Sequence, residues 1–101
     1  MTKHVMETVT FRLAEGICPN AFLDAAQASS DYAESCAGFV WRRLSKGEDG
    51  TWIDQIEWGS MDHAQAAGAG IAEAPGIGTF MAAIDMESVF MSHTEIALSL
   101  N

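Results

Sequence analysis

The chain has 101 residues, room for one domain spanning 1–101 and none for a second. Five Lys and Arg against fourteen Asp and Glu give a formal charge of -9, a surface that repels phosphate backbones and anionic lipid, so neither nucleic acid nor membrane is an expected partner. Hydrophobic residues reach 49% with three Trp and five Phe, a globular composition in which no apolar run approaches the ~18 residues of a membrane helix. The segment Met1 to Glu7 lacks the apolar core of a secretory leader, and a cytoplasmic address is expected.

In chain order, Val5, Val9, Phe11 and Leu13 share one parity and Met6, Thr8, Thr10 and Arg12 the other, which predicts a strand over 5–13. Ala14-Glu15-Gly16 breaks it, and Pro19 suits the first turn of a helix. Over 20–37, Phe22, Ala25, Ala26, Ser29, Ala33 and Cys36 recur at three and four, opposite Asp24, Gln27, Asp31 and Glu34. That spacing predicts an amphipathic helix closed by Gly38. Cys18 and Cys36 flank this helix at more than ~20 Å, beyond the ~7 Å that a disulfide spans, so both are expected to be free thiols.

A second strand over 39–44, a Gly- and Asp-rich turn over 45–50 and a third strand over 51–58 make a hairpin. Ser60 caps a second helix over 61–74, stopped by Pro75, and a short helical stretch follows over 79–84. Asp85-Met86-Glu87 leads into a last strand over 88–98. The order β-α-β-β-α-β is the ferredoxin-like, split βαβ arrangement, an α+β class with an antiparallel four-stranded sheet. Both parities of the hairpin carry bulky groups (Val40 and Leu44 against Phe39 and Trp41; Ile53 against Trp52, Ile56 and Trp58). One sheet face would stay exposed in a monomer, so a homodimer is expected.

The segment from Trp52 through Glu57-Trp58-Gly59-Ser60 to Ala64 resembles the strand, Trp, small residue and Ala-containing helix of antibiotic-biosynthesis-monooxygenase-like proteins. Phe80 to Val89, with Asp85-Met86-Glu87-Ser88-Val89, is similar to the short helix and lead-in to their last strand, and with the element order the likeness covers about 5–98. The resemblance implies paired sheets in a dimeric α+β barrel. Activities in that group include cofactor-independent oxidation of aromatic polyketides and haem degradation, and fold does not carry function with it. The haem-degrading branch shares Trp58 but calls for an Asn on the first strand and a His well along the second helix. Here the first strand has no Asn and that helix has only His63, at its start, which disfavours haem degradation.

Trp52, Asp54, Ile56 and Trp58 share a parity, so two indoles flank a carboxylate. They could clamp a flat aromatic substrate while Asp54 accepts a proton. The competing reading makes the tryptophans packing groups and pairs Asp54 with an arginine. His93, with Glu95 on the same face, is the second candidate base, and two such ligands without a third do not make a metal site. Arg42 and Arg43 point to opposite faces, and the inward one must pair with a carboxylate, Asp54 or Glu95. The same guanidinium could hold a substrate carboxylate or steady an enolate. Asp54 and His93 are therefore the candidate catalytic residues, with Trp52, Trp58, Phe11 and Arg43 as candidate substrate contacts. His4 and His63 are expected to be solvated.

Gly68-Ala69-Gly70 and Gly76-Ile77-Gly78 do not continue to a third glycine, and there is no P-loop, nucleophile elbow or zinc-like Cys spacing. No cofactor is expected. Two functions from different classes remain: a cofactor-independent monooxygenase-like enzyme on a small aromatic or apolar molecule, and a non-catalytic small-molecule-binding or assembly module of the same fold. Isomerase or lyase chemistry would use the same base.

Overall fold

The computed structural model describes residues 3–100. Its elements are β1 (Val5–Leu13), α1 (Pro19–Ser35), β2 (Phe39–Lys46), β3 (Trp52–Trp58), α2 (Met61–Gly70), a 3-10 turn (Ile71–Glu73), α3 (Ile77–Ala82) and β4 (Ile84–Glu95). All neighbouring strands are antiparallel, in the order β2-β3-β1-β4, with the helices on one face. This is the expected ferredoxin-like α+β sheet. Among the described residues no helix is long and apolar enough to cross a membrane.

β1 has the predicted bounds because its alternation is unbroken. α1 opens with Pro19 in its first turn and ends at Ser35, two residues short of the expected end. Gly38 then takes a left-handed φ of 85°, and a Cβ there would run into the His63 imidazole, so the link into β2 requires glycine for two reasons. In α2 the Ser60 hydroxyl accepts the backbone N–H of His63 at 3.1 Å, the predicted cap. The regular helix stops at Gly70, where the Ala- and Gly-rich sequence gives way to the 3-10 turn before Pro75.

Two irregularities separate sequence from structure. β4 starts at Ile84, four residues before the expected start, because Leu13 pairs with Ile84 and Arg12 with Asp85 across a register shift between Thr10 and Arg12. It also ends at Glu95 rather than 98. The second irregularity lies in β2, where the register shifts between Phe39 and Trp41. That bulge reverses the alternation: Phe39, Arg42 and Leu44 face the helices with Trp58, Ile56 and Asp54 opposite them, while Trp41 and Arg43 lie on the outer face.

The core under the helices forms two clusters. In one, Phe22 packs edge-on to Trp52 at 4.9 Å between ring centroids and stacks on Phe80 at 5.5 Å, with Phe11, Ile77 and Ile84 around them. In the other, Trp58 sits among Val5, Ile56, Ala33, Ala64 and Ala67, whose small side chains let α2 lie close on the sheet. Asp54, between Trp52 and Ile56 on β3, marks the seam between the clusters.

Candidate functional site

Along that seam runs a cavity of about 260 Å³ between sheet and helices. Its walls are mainly apolar, with Phe11, Ile56, Phe80, Met81, Val89 and Met91 among them. The polar side chains facing it are few: two charged pairs, Ser29 beside the first of them, Gln65 of α2, and one further hydroxyl.

The first pair is Arg42 and Asp54. Arg42 stands opposite Ile56 and Asp54 opposite Leu44, so the two are diagonal neighbours within reach of a long side chain. Nε donates to Asp54 Oδ1 at 2.9 Å and Nη2 to Oδ2 at 2.7 Å, a bidentate pair with side chains only 9% and 10% exposed. Nη1 donates to Ser29 Oγ at 2.6 Å and Ser30 Oγ at 3.1 Å, and Ser29 in turn donates to the Ala26 carbonyl at 2.7 Å. α1 thus clamps the guanidinium to β3, and the carboxylate is held on both oxygens.

The second pair is Glu7 and His93, directly opposite each other on β1 and β4. His93 Nε2 lies 3.1 Å from Glu7 Oε1, and the side chains are 26% and 14% exposed. Neither group has another hydrogen-bond partner among the described side chains and backbone. The hydroxyl is that of Tyr32, which donates to the Ala67 carbonyl at 2.5 Å and so ties α1 to α2 across the cavity. Loss of solvation, reinforced by the neighbouring Cys36, pushes the Tyr32 phenol above its ordinary value, so it serves as a neutral donor.

Asp54, His93 and Phe11 line this cavity. It does not bring Arg43, which lies exposed on the outer face with its guanidinium 4.2 Å over the Trp41 ring. The bulge in β2 makes Arg42 the inward arginine instead. Trp52 and Trp58 do not line the cavity; each packs in the core cluster behind one end of it. The Trp58 indole Nε1 is buried without a hydrogen-bond partner among the described residues. Glu95 is exposed opposite Val5 and does not join His93. The two histidines expected to be solvated are both exposed, and each also has a partner: His4 Nδ1 pairs with Glu57 at 2.5 Å, and His63 Nδ1 lies 2.9 Å from Ser60 Oγ. Both cysteines are free. Among the described residues no three His, Cys, Asp or Glu side chains are placed to hold a metal ion.

Sequence reasoning missed Glu7, Tyr32 and Arg42 as cavity groups. Glu7 had a signal: it is the one charged residue on the parity of Val5, Val9, Phe11 and Leu13, a face otherwise apolar.

No protein-family model matches the chain, and no curated protein matches it significantly. Solved structures do match. SnoaB, a cofactor-independent oxygenase from Streptomyces nogalater, solved as a point mutant, superimposes with a TM-score of 0.79 at 16% identity, over 98% of this chain and 98% of that one. A protein of Bordetella bronchiseptica, provisionally named an antibiotic biosynthesis monooxygenase, gives 0.78 at 12% identity, over 96% and 100%. NE2512 of Nitrosomonas europaea, a protein of unknown function, gives 0.71 at 12% identity, over 99% and 95%. The chain has the fold of the antibiotic-biosynthesis-monooxygenase-like structures over nearly its whole length.

Proposed function

We propose that the protein is a cytoplasmic homodimeric enzyme that oxygenates a small aromatic or apolar molecule without a bound cofactor. The observation that carries this reading is the seam cavity, apolar in its walls yet faced by an imidazole with an unshared nitrogen. The alternative of a filled barrel serving only assembly would leave no such space. His93 is the base in this scheme, Arg42 and Asp54 are a fixed polar frame, and Phe11 and Phe80 flank the ligand.

The chemistry needs an acidic substrate and a dry pocket. His93 takes a proton from the methylene beside an aromatic ketone, or from the O–H of its enol tautomer, giving the same carbanion. Dioxygen adds to that carbon, and the imidazolium returns the proton to form the hydroperoxide. Loss of water then leaves a carbonyl, so CH₂ and O₂ become C=O and H₂O with the substrate as reductant. The fold shared with SnoaB agrees with this reading.

The homodimer rests on its own observation. Phe90 is 68% exposed on the outer sheet face, and Val40 is exposed on the edge strand β2. Such a surface suits self-association, and the protein is expected to elute and scatter as a dimer; a stable monomer at micromolar concentration would remove that part of the proposal. The enzymatic part is tested by oxygen uptake with aromatic ketones and naphthols of one to three rings. Uptake that is lost in His93→Ala with the dimer intact is expected, and unchanged uptake in that variant would refute the assignment.

A further inference from the structure

The geometry points to Glu7 as a positioning residue that fixes the neutral imidazole of His93 with its proton on Nε2, so that the cavity selects a neutral ligand bearing an acidic O–H, a phenol or enol of roughly two fused rings. This deepens the preceding proposal and rests on its reading of the cavity as a ligand site.

The argument starts from hydrogen-bond capacity. An ionised carboxylate only accepts, so the 3.1 Å contact between Glu7 Oε1 and His93 Nε2 requires the ring proton on Nε2. A neutral imidazole has one N–H, which leaves Nδ1 as a bare acceptor, and Nδ1 has no partner among the described residues. A ligand that meets His93 at Nδ1 must therefore donate. The contact is built into the sheet: Glu7 and His93 are register partners, so the imidazole is held by two strands rather than by one flexible side chain. Glu7 makes no other hydrogen bond and stands on the apolar face of β1, where an exposed charge on the outer face would have served solubility as well.

Charge narrows the class further. Arg42 and Asp54 cancel each other, so beside a neutral His93 the Glu7 carboxylate would be the uncompensated charge facing the cavity. A carboxylate or phosphate ligand would meet repulsion, whereas a neutral hydroxyl would not. When the ligand O–H bond breaks and its proton joins Nδ1, the imidazolium lies between Glu7 and the new oxyanion, so the charge that forms is countered on both sides. Size sets the ring count: an apolar cavity of ~150 Å³ holds one benzene, and this one is about 260 Å³.

The test uses the intact protein and three probes: 2-naphthol, 2-methoxynaphthalene and 2-naphthoate. Long-range ¹H–¹⁵N spectra of the unliganded wild type, above the imidazole titration, are expected to show His93 protonated on Nε2, with that N–H slowed in exchange, and Nδ1 bare. A proton on Nδ1, or an even mixture, overturns the proposal. By fluorescence titration the naphthol is expected to bind at least about tenfold more tightly than its methyl ether and than the naphthoate, the worth of one charge-supported hydrogen bond. Equal affinities for all three, or none, overturn the ligand class.

Glu7→Leu suits its apolar strand face and is expected to weaken naphthol binding by about tenfold without changing that of the ether. Parallel loss of both means that Glu7 acts only on structure and overturns the positioning role. Should the variant fail to fold, the wild-type spectra and probe ratios still decide. None of these readouts needs turnover, so an absence of oxygen uptake with bound naphthol would count against the oxygenase reading and not against this one.

Discussion

Two acid–base pairs face one cavity, and they differ in how much of their hydrogen-bonding capacity is spent. Arg42 and Asp54 lie on adjacent strands under α1, and four donated bonds lock the guanidinium between Asp54, Ser29 and Ser30. Glu7 and His93 lie on the opposite side, where no helix residue supplies a second partner, and a single bond joins them. The first pair is the kind of buried group whose removal costs stability, because each partner leaves the other charged and unmatched. The second retains a free nitrogen and partial exposure, which is what a proton acceptor needs. Each pair joins an edge strand to a central one, so helix cover makes the difference: Ser29 and Ser30 of α1 reach Arg42 on β2, while no helix side chain bonds Glu7 or His93.

The comparison can be broken from either side. Arg42→Met is expected to have the largest effect on the fold, a loss of about 3–5 kcal/mol in urea unfolding. A loss below ~1 kcal/mol would mean that the pair is not the frame described here. His93→Ala is expected to cost at most about 1 kcal/mol of stability, yet to reduce oxygen uptake by roughly 10²- to 10⁴-fold, the worth of a general base. Comparable losses of stability in the two variants would erase the distinction between the pairs.

A smaller effect belongs to Tyr32, the hydroxyl between them. Because its folded-state pKa is raised, the folded chain holds that proton more tightly than the unfolded one. Its contribution is complete at neutral pH and falls away as the pH rises past the ordinary tyrosine value of about 10. Tyr32→Phe is expected to lose about 1 kcal/mol at neutral pH and to flatten the alkaline decline measured by denaturation. An unchanged decline would place its origin elsewhere.

The smallest effect lies outside the cavity, at Asp49 in the β2–β3 turn. The Thr51 backbone N–H, then its hydroxyl, hold the Asp49 carboxyl below its ordinary value. The stability it adds is present above the usual carboxylate range and is lost as the pH falls through the lowered value. Asp49→Asn should remove a slight acid-side slope from the unfolding curve and nothing else.

Most of the fold was legible in the sequence because the periodicities were clean: β1 and the start of α1 needed only alternation, a proline and a helical stripe. The site was only half legible, and the reason is local. Alternation through β2 puts 39, 41 and 43 on one face, so an inward Phe39 implies an inward Arg43. The bulge between Phe39 and Trp41 cancels that inference and turns Arg42 inward. The shift opposite Thr10 and Arg12 likewise hid the first four residues of β4. Trp52 and Trp58 show a further limit: sharing a parity with Asp54 puts them on its face, but packing against Phe22 and Phe39 draws their rings away from the cavity. Glu7 could have been found as a lone charge on an apolar parity, and its pairing with His93 required the β1–β4 register.

The central claim is that the open pair, and not the locked one, meets the ligand. A crystal structure of the protein with 2-naphthol bound tests it most directly. The ring is expected in the seam between Phe11 and Phe80, with its hydroxyl within hydrogen-bond distance of His93 Nδ1 and the Arg42–Asp54 contacts unchanged. A naphthol whose hydroxyl instead displaces one of those contacts, or that binds outside the cavity, would contradict the account.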